Sequence, residues 1–358
     1  MPLIRFECKG VRRLEPTAIE PHGQLNLVVG ANASGKTSLL EALYILGSGK
    51  SFRSNHLEKV VQHGCHEFVL FGLMEEQGRE TRLGYHRMRE GREIHIDGAA
   101  VNVSAELAYH LPIQAVTPDT HFAFLHQAGA RRSTLDWALF HVEPSFFPAW
   151  TEYRRVLRQR NAALKEGRRS GGHRVWDESL IRLGETIHGM RHDLLLDLAP
   201  RTTEIAQEIL GIEGLSIRLR AGWRRDRSLA EALVEDGERD REAGYTHSGP
   251  HRADIEIHIG DRDARQEASQ GQWKAVVLSL RMAQLGLFAE RSGRKSVLLL
   301  DDLPAELDAT RRRAVLDQLQ RMPAQVFATA TEAEQLETGP AMDHSLFHVE
   351  QGRVRKQA

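Results

Sequence analysis

The chain has 358 residues, with 48 Lys and Arg, 49 Asp and Glu, and 41% hydrophobic residues. This length suffices for a full hydrophobic core and predicts two domains, or one domain with an insertion. The net charge of −1 excludes a protein that coats DNA with its whole surface, so any DNA contact must use a local basic patch. Two cysteines exclude a disulfide framework and indicate a reducing compartment. No apolar run approaches about 18 residues and no signal segment is recognised, so we expect a cytoplasmic protein with no membrane partner.

The first motif along the chain is a glycine-rich loop between a strand and a helix. Residues 25–29 are apolar enough for a buried strand, and residues 38–46 have a helical composition. Between them, Gly30 to Thr37 reads G-x-x-x-x-G-K-[ST], in which the glycines let successive N–H groups point at phosphate oxygens. In this pattern Lys36 reaches the β- and γ-phosphates and Thr37 ligates Mg²⁺. The alternative is an ordinary glycine turn with Lys36 merely solvated.

The loop therefore predicts an ATP site, and Lys36 is also a predicted catalytic residue. Its predicted ATP ligands are Gly30, Ala31, Asn32, Ala33, Ser34, Gly35, Lys36, Thr37 and Ser38. If residue 33 requires a positive φ, its Cβ costs about 1 kcal/mol. Short alternating strands are predicted next, at 68–74, 80–86 and 93–97.

The middle of the chain is predicted to be a helical hairpin over about 143–199. Residues 143–164 and 175–199 have helical patterns, and residues 166–174 between them have a turn composition. The second helix has a 4-3-4-3-4 apolar seam at Trp176, Leu180, Leu183, Ile187, Met190 and Leu194. Pro200 is expected to end or kink this helix. His188 and His192, four residues apart on it, are expected to be exposed, with no third metal ligand nearby.

The hairpin also carries the strongest local charge of the chain. Eight basic residues and one acid, Glu166, lie between Arg154 and Arg174. Such a run is either a solvated surface or a contact for the DNA backbone. The candidate DNA-binding residues are Arg154, Arg155, Arg158, Arg160, Arg168, Arg169 and Arg174. No aromatic residues alternate with the arginines, which favours duplex backbone contact over base stacking.

Two acids at the end of an apolar run form the second nucleotide motif. Residues 295–300 predict a buried strand that ends at Asp301 and Asp302. In this Walker B pattern Asp301 is a predicted Mg²⁺ ligand and Asp302 a predicted catalytic residue that polarises the attacking water.

Thr329 and Thr331 are the candidates for sensing the γ-phosphate. Gln114 is a candidate glutamine-loop residue, with an ordinary strand-end position as the alternative.

The remaining motifs resemble those of ATP-binding-cassette ATPases. Residues 268–272 resemble the signature motif, and the resemblance implies that Ser269, Gly271 and Gln272 form a second phosphate site. Glu306, Leu307 and Asp308 resemble the D-loop. In cassette ATPases the signature motif faces the P-loop of another subunit, so the resemblance implies an ATP-dependent homodimer. Ala33 and Gln270 depart from the usual glycines of the two motifs.

The whole chain resembles the RecF family of SMC-like ATPases. The resemblance rests on the segments 36–44, 50–54, 131–136, 159–164 and 246–254, and it adds Arg53 to the predicted ATP ligands. It implies an α/β fold: an ABC-type P-loop ATPase head, a mixed sheet with helices, plus a helical arm or lid lobe. The expected domains are the N-terminal half of the head at 1–119, the lobe at 120–245 and the C-terminal half of the head at 246–358.

The family resemblance further implies a function in recombinational repair and replication. Expected features are binding of duplex and gapped DNA, weak ATP hydrolysis with Mg²⁺, RecO and RecR as partners, help in loading recombinase at single-strand gaps, and support of the SOS response. Two other classes remain open. A membrane-transport cassette is disfavoured because Ser269 follows Thr37 so far along the chain, and an SMC-like condensation subunit is disfavoured by the short arm.

Overall fold

The computed structural model describes residues 2–76, 78–166, 172–302, 309–332 and 343–357. The strands are β1 Leu3–Lys9, β2 Thr17–Ile19, β3 Leu25–Val29, β4 Phe68–Glu76, β5 Arg79–Met88, β6 Gly91–Ile96, β7 Ala99–Val101, β8 Ile113–Val116, β9 Leu215–Arg220, β10 Asp254–Ile259, β11 Arg262–Asp263, β12 Ser296–Leu300, β13 Ala324–Ala330, β14 Ser345–Glu350 and β15 Arg353–Gln357. The α-helices are α1 Lys36–Ser48, α2 Ser104–His110, α3 Pro118–His126, α4 Ala128–Val142, α5 Phe146–Glu166, α6 Asp177–Leu210, α7 Leu229–Glu235, α8 Gly237–Ala243, α9 Ala264–Glu267, α10 Gln270–Ser292 and α11 Ala309–Arg321.

The chain divides into two compact units. The first contains residues 1–122, 208–210 and 284–358, and the second contains residues 123–207 and 211–283. This division differs from the expected one, because residues 246–283 group with the middle of the chain. The physical reason is local pairing: β10 forms an antiparallel ladder with β9, and Asp254 at its start forms a buried ion pair with Arg131 at 2.6 Å.

A mostly parallel sheet forms the centre of the first unit. Its strand order is β15-β14-β3-β13-β12-β8. The strands β3, β12 and β13 are buried at every position, as expected for parallel strands covered on both faces. The parallel pairing of β3 with β13 and of β13 with β12 brings the carboxyl ends of all three to one edge. The glycine-rich loop and the Asp301–Asp302 pair therefore meet at this edge.

The first unit also has an antiparallel sheet, in the order β2-β1-β4-β5-β6-β7. Apolar side chains of both sheets join one core cluster with those of α1. The helix fits closely, because a Cβ at Gly47 would lie 2.6 Å from a methyl of Ile113 and one at Gly72 would lie 2.5 Å from a methyl of Leu46. This packing fixes the position of α1 against the two sheets.

In the second unit, α5 and α6 pack antiparallel as a hairpin. Near one end Arg160 donates to Asp177 at 2.8 Å, and near the other the Arg191 guanidinium lies 5.0 Å from the centre of the Trp150 ring. Four of the six predicted seam residues are buried, at Leu180, Leu183, Ile187 and Leu194. Pro200 does not end the second helix, which continues to Leu210.

Two of the expected surface residues of the hairpin are not exposed. Arg160 has no exposure, because it forms ion pairs with Asp240 at 2.6 Å and Asp177 at 2.8 Å and donates to Thr246. Its proposed contact with DNA is therefore wrong. His188 is half-buried, with its ring 4.9 Å from the Trp223 ring, whereas His192 is exposed. Among the described helices, none is long and apolar enough to cross a membrane.

Candidate nucleotide-binding site

A cavity of about 520 Å³ lies at the carboxyl edge of the parallel sheet. The described residues that line it are Arg12, Arg13, Asn32, Ala33, Gly35, Lys36, Thr37, Ser38, Arg53, Pro118, Asp301, Asp302 and Thr329. Helix α1 begins at this cavity with Lys36, and no side chain of the described residues caps its N-terminus. The unpaired N–H groups and the positive end of the helix dipole suit the cavity for an anion.

The backbone of the loop adopts conformations that favour glycine. The φ angles are 153° at Gly30, 63° at Ala33 and 123° at Gly35. A Cβ at Gly30 would lie 2.2 Å from the Val349 carbonyl oxygen, so glycine is required there. Position 33 does require a positive φ, and its alanine carries the strain of about 1 kcal/mol expected for a Cβ in this region.

The Lys36 side chain is folded back onto its own loop. Its Nζ donates hydrogen bonds to the carbonyl oxygens of Gly30 at 2.6 Å and Ala31 at 3.0 Å. Burial lowers the pKa of Lys36, and the carboxylates of Asp301 and Asp302 oppose that shift. A phosphate anion in the cavity would offer the ammonium stronger, charged acceptors than these carbonyl groups.

Asp301 is at the centre of a chain of hydrogen bonds that joins the N-terminus of α1 to the ends of β12 and β13. Thr37 Oγ1 donates to Asp301 Oδ2 at 2.9 Å, and Thr329 Oγ1 donates to Asp301 Oδ1 at 2.8 Å. The Asp302 N–H in turn donates to Thr329 Oγ1 at 2.8 Å. Burial raises the pKa of Asp301, and the hydrogen bonds from Thr329 and Thr37 oppose that shift. A hydroxyl and a carboxylate side by side are hard oxygen donors that fit Mg²⁺.

A buried carboxylate that sequence reasoning missed holds two arginines beside the cavity. Glu41 on α1 has no exposure and accepts hydrogen bonds from Arg12 and from Ser51. Arg53 Nη1 lies 3.7 Å from Glu41 Oε2. Arg12 and Arg53 both line the cavity. The signal was a single charged residue inside the apolar segment 39–46, since a buried charge requires a partner.

The predicted signature residues lie in the second unit. The Ser269 N–H donates to Gln272 Oε1 at 2.9 Å, and the Gln272 N–H donates to Ser269 Oγ at 3.2 Å. This reciprocal pair caps the N-terminus of α10, and Gly271 lies in its first turn. Ser269 is exposed.

The other predicted residues have separate outcomes. Gln114 is buried within β8 and donates to Gln284 at 3.3 Å, which is an ordinary strand position. Thr331 follows β13, beyond Thr329. Two sets of predicted residues lie outside the described residues: the D-loop residues Glu306, Leu307 and Asp308, and the arginines 168 and 169. The remaining candidate DNA-binding arginines are exposed: Arg154, Arg155, Arg158 and Arg174.

The chain is similar to known proteins over nearly its whole length. Residues 2–355 match the model of the RecF/RecN/SMC N-terminal domain. The chain is 40% identical to the DNA replication and repair protein RecF of Azotobacter vinelandii, over 99% of this chain and 98% of the relative. It is 38% identical to the corresponding protein of Cellvibrio japonicus, over 99% of both chains.

Solved structures are similar over the whole chain. The structure of the recombination mediator protein RecF with ATP in the RecFOR pathway has a TM-score of 0.85 at 26% identity, and the match covers 100% of this chain and 98% of that chain. An Smc head bound to the C-terminal winged-helix domain of ScpA has a TM-score of 0.58 at 15% identity, with 100% of this chain and 97% of that chain covered. The second likeness shows the fold alone.

Proposed function

Because this chain belongs to the RecF family of ATPases, we propose that it is an ATP-dependent DNA-binding protein of recombinational repair and replication. The observation that carries the proposal is the contact of Thr37 with Asp301 at 2.9 Å. It joins the glycine-rich loop to the acid pair beside one cavity that Lys36 also lines. Nucleotide binding and nucleotide hydrolysis thus have their residues at one sheet edge.

In this proposal each side chain of the cavity has a separate task. The loop N–H groups and Lys36 bind the phosphates, and Lys36 exchanges the carbonyls of Gly30 and Ala31 for phosphate oxygens. Thr37 and Asp301 hold Mg²⁺, which neutralises charge on the phosphate oxygens when bound. Asp302 orients and polarises the attacking water. Arg12 and Arg53 add positive charge at the edge of the cavity.

We further propose that ATP joins two copies of the chain into a dimer. Ser269, Gly271 and Gln272 at the start of α10 would contact the γ-phosphate held by the P-loop of another copy. The exposure of Ser269 supports this assignment, because a residue that contacts another subunit must be accessible in the monomer. Binding of ATP would close the dimer on DNA, and slow hydrolysis would reopen it.

The proposed DNA substrates are duplex and gapped DNA. The exposed arginines 154, 155, 158 and 174 are the described candidates for phosphate contact. RecO and RecR are the proposed partners, because the similar solved structure is that of a mediator in the RecFOR pathway. Help in loading recombinase at gaps and support of the SOS response remain part of the proposal.

Sedimentation of the protein with and without ATP, and again with gapped DNA, tests this function. The wild-type protein should sediment as a monomer without nucleotide and as a dimer with ATP, and gapped DNA should join the dimer. Lys36→Ala should remain a monomer under all conditions, because it loses a cation that binds phosphate. ATP-dependent dimers of Lys36→Ala, or wild-type DNA binding that ignores ATP, would contradict the proposal.

A further inference from the structure

A groove of about 620 Å³ lies in the second unit between α6 and β9. Its floor is apolar and includes Leu195, Ala199 and Ile217. Leu196, at the margin of the groove, is 62% exposed. An apolar floor with a polar rim is typical of a groove that binds another molecule.

The wall formed by β9 has unpaired backbone groups. β9 is an edge strand of its sheet, which has the order β11-β10-β9. The Gly260 N–H donates to the Gly214 carbonyl at 2.9 Å, so residues of β9 at even numbers exchange hydrogen bonds with β10. The N–H and C=O groups of Ile217 and Leu219 therefore point away from β10. Within the described chain they form no hydrogen bond, whereas the Leu215 carbonyl accepts one from Thr203 at 3.3 Å.

The charges around this groove are of one sign. Arg218, Arg225 and Arg227 line it together with His188 and His192, and no aspartate or glutamate is among its described lining residues. Arg227 forms an ion pair with Glu235 at 3.0 Å. Arg218 and Arg225 form no ion pair in the described chain. Glu256, which faces Arg218 across the ladder, instead lies 3.6 Å from Arg220.

We propose that the groove binds an extended, acidic segment of a partner protein, which pairs with β9 as a further strand of the sheet. Free backbone groups of Ile217 and Leu219 would supply main-chain hydrogen bonds to it. Alternate side chains of an added strand point to opposite faces. Apolar side chains of the segment would then pack on the floor, and acidic ones would face Arg218 and Arg225.

Two other occupants fit the groove less well. A second copy of β9 would bring Arg218 and Arg220 of one chain near the same arginines of the other, and like charges across a strand pair are destabilising. Single-stranded DNA would satisfy the arginines, but it would leave the apolar floor and the backbone groups of Ile217 and Leu219 without a partner. The Trp223 ring of the groove is also not free to stack on a base, because it is in contact with the His188 ring.

The proposal is tested by fluorescence anisotropy with a labelled peptide. The peptide has about ten residues, which is long enough to pair with the six residues of β9. The peptide alternates glutamate and valine. Binding should weaken at least tenfold for the double variant Arg218→Glu, Arg225→Glu. The matched control Arg262→Glu reverses an exposed arginine on β11 and should bind like the wild type. A peptide with proline in place of its central valine should also bind at least tenfold more weakly, because proline lacks the N–H of the ladder.

Each remaining outcome contradicts strand addition. No binding of the alternating peptide up to about 1 mM would overturn the proposal. Equal affinity of the proline peptide would mean that charge alone holds the ligand. Displacement of the peptide by a thymidine oligonucleotide at lower concentration than by unlabelled peptide would assign the groove to nucleic acid. The double variant should keep wild-type ATP hydrolysis without DNA and the wild-type unfolding temperature, since neither arginine forms an ion pair with a described residue.

Discussion

Arg12 and Glu41 form a bidentate ion pair, in which Arg12 Nε lies 2.9 Å from one carboxylate oxygen of Glu41 and Arg12 Nη2 lies 2.8 Å from the other. The Glu41 side chain has no exposure, so its charge depends on these partners. Ser51 donates to the same carboxylate at 2.5 Å, and Arg53 lies beside it. Glu41 thus orients two arginines that line the nucleotide cavity, although it does not line the cavity itself.

Glu41→Gln should weaken ATP binding about tenfold, a loss of about 1.4 kcal/mol. The substitution keeps the size of the side chain but removes the charge that orients Arg12 and Arg53. Titration with a fluorescent ATP analogue measures the effect. Glu7→Gln is the matched control, since Glu7 pairs with Arg5 on the surface. Wild-type affinity in Glu41→Gln would show that the arginines do not need this anchor.

Asp302→Asn should bind ATP and form dimers but hydrolyse ATP at least about 100-fold more slowly. The backbone of Asp302 has a φ of 58°, a conformation that asparagine adopts readily. The N–H bond to Thr329 should therefore survive, and the variant should report on the carboxylate alone. A steady-state phosphate-release assay measures turnover. Near-normal turnover would show that a residue other than Asp302 polarises the attacking water.

Arg154→Glu with Arg158→Glu should weaken DNA binding and make it less dependent on salt. Both arginines are exposed on α5, one turn apart. Each lost duplex phosphate contact should reduce the slope of log K against log salt by about 0.9. Anisotropy over a salt series with ATP measures the slope. Arg82→Glu, an exposed surface arginine of β5, is the control. An unchanged slope would mean that these arginines are only solvated.

The stability of the second unit should fall between pH 6.5 and 4 because of His251. Burial lowers the pKa of His251 from 6.5 to about 4. In its neutral form Nε2 donates to the Thr246 carbonyl and Nδ1 accepts from the Tyr153 hydroxyl. A histidine with a lowered pKa in the folded state stabilises the fold above pH 6.5, and that contribution is lost as the pH falls through this range.

The loss should reach about 3 kcal/mol at the acid end of the range. Chemical unfolding of the wild type and of His251→Asn at several pH values measures it. The difference in unfolding free energy between the two proteins should shrink as the pH falls from 6.5 to 4. A difference that stays constant with pH would show that His251 keeps its ordinary pKa.

The sequence predicted the positions of residues in the first unit better than the contacts of the second. The two motifs predicted Lys36 and Thr37 after one buried strand and Asp301 at the end of another, and parallel pairing brings both segments to one edge of the sheet. It gave no sign that Arg160 is buried, since a basic residue in a charged run resembles its neighbours until Asp240, 80 positions away, becomes its partner. Pro200 also does not end α6, which continues to Leu210 and buries Ala206 and Ile209 beyond the proline.

The proposed sharing of each ATP site between two copies is tested most directly by mixing two inactive variants. Lys36→Ala removes the phosphate-binding cation, and Ser269→Arg puts a bulky cation at the exposed start of α10. In a mixed dimer one composite site carries both changes and the other carries neither. We predict that the mixture recovers a substantial part of the wild-type ATPase rate while each variant alone has almost none. No recovery in the mixture, under conditions in which the wild type forms dimers with ATP, would contradict shared sites.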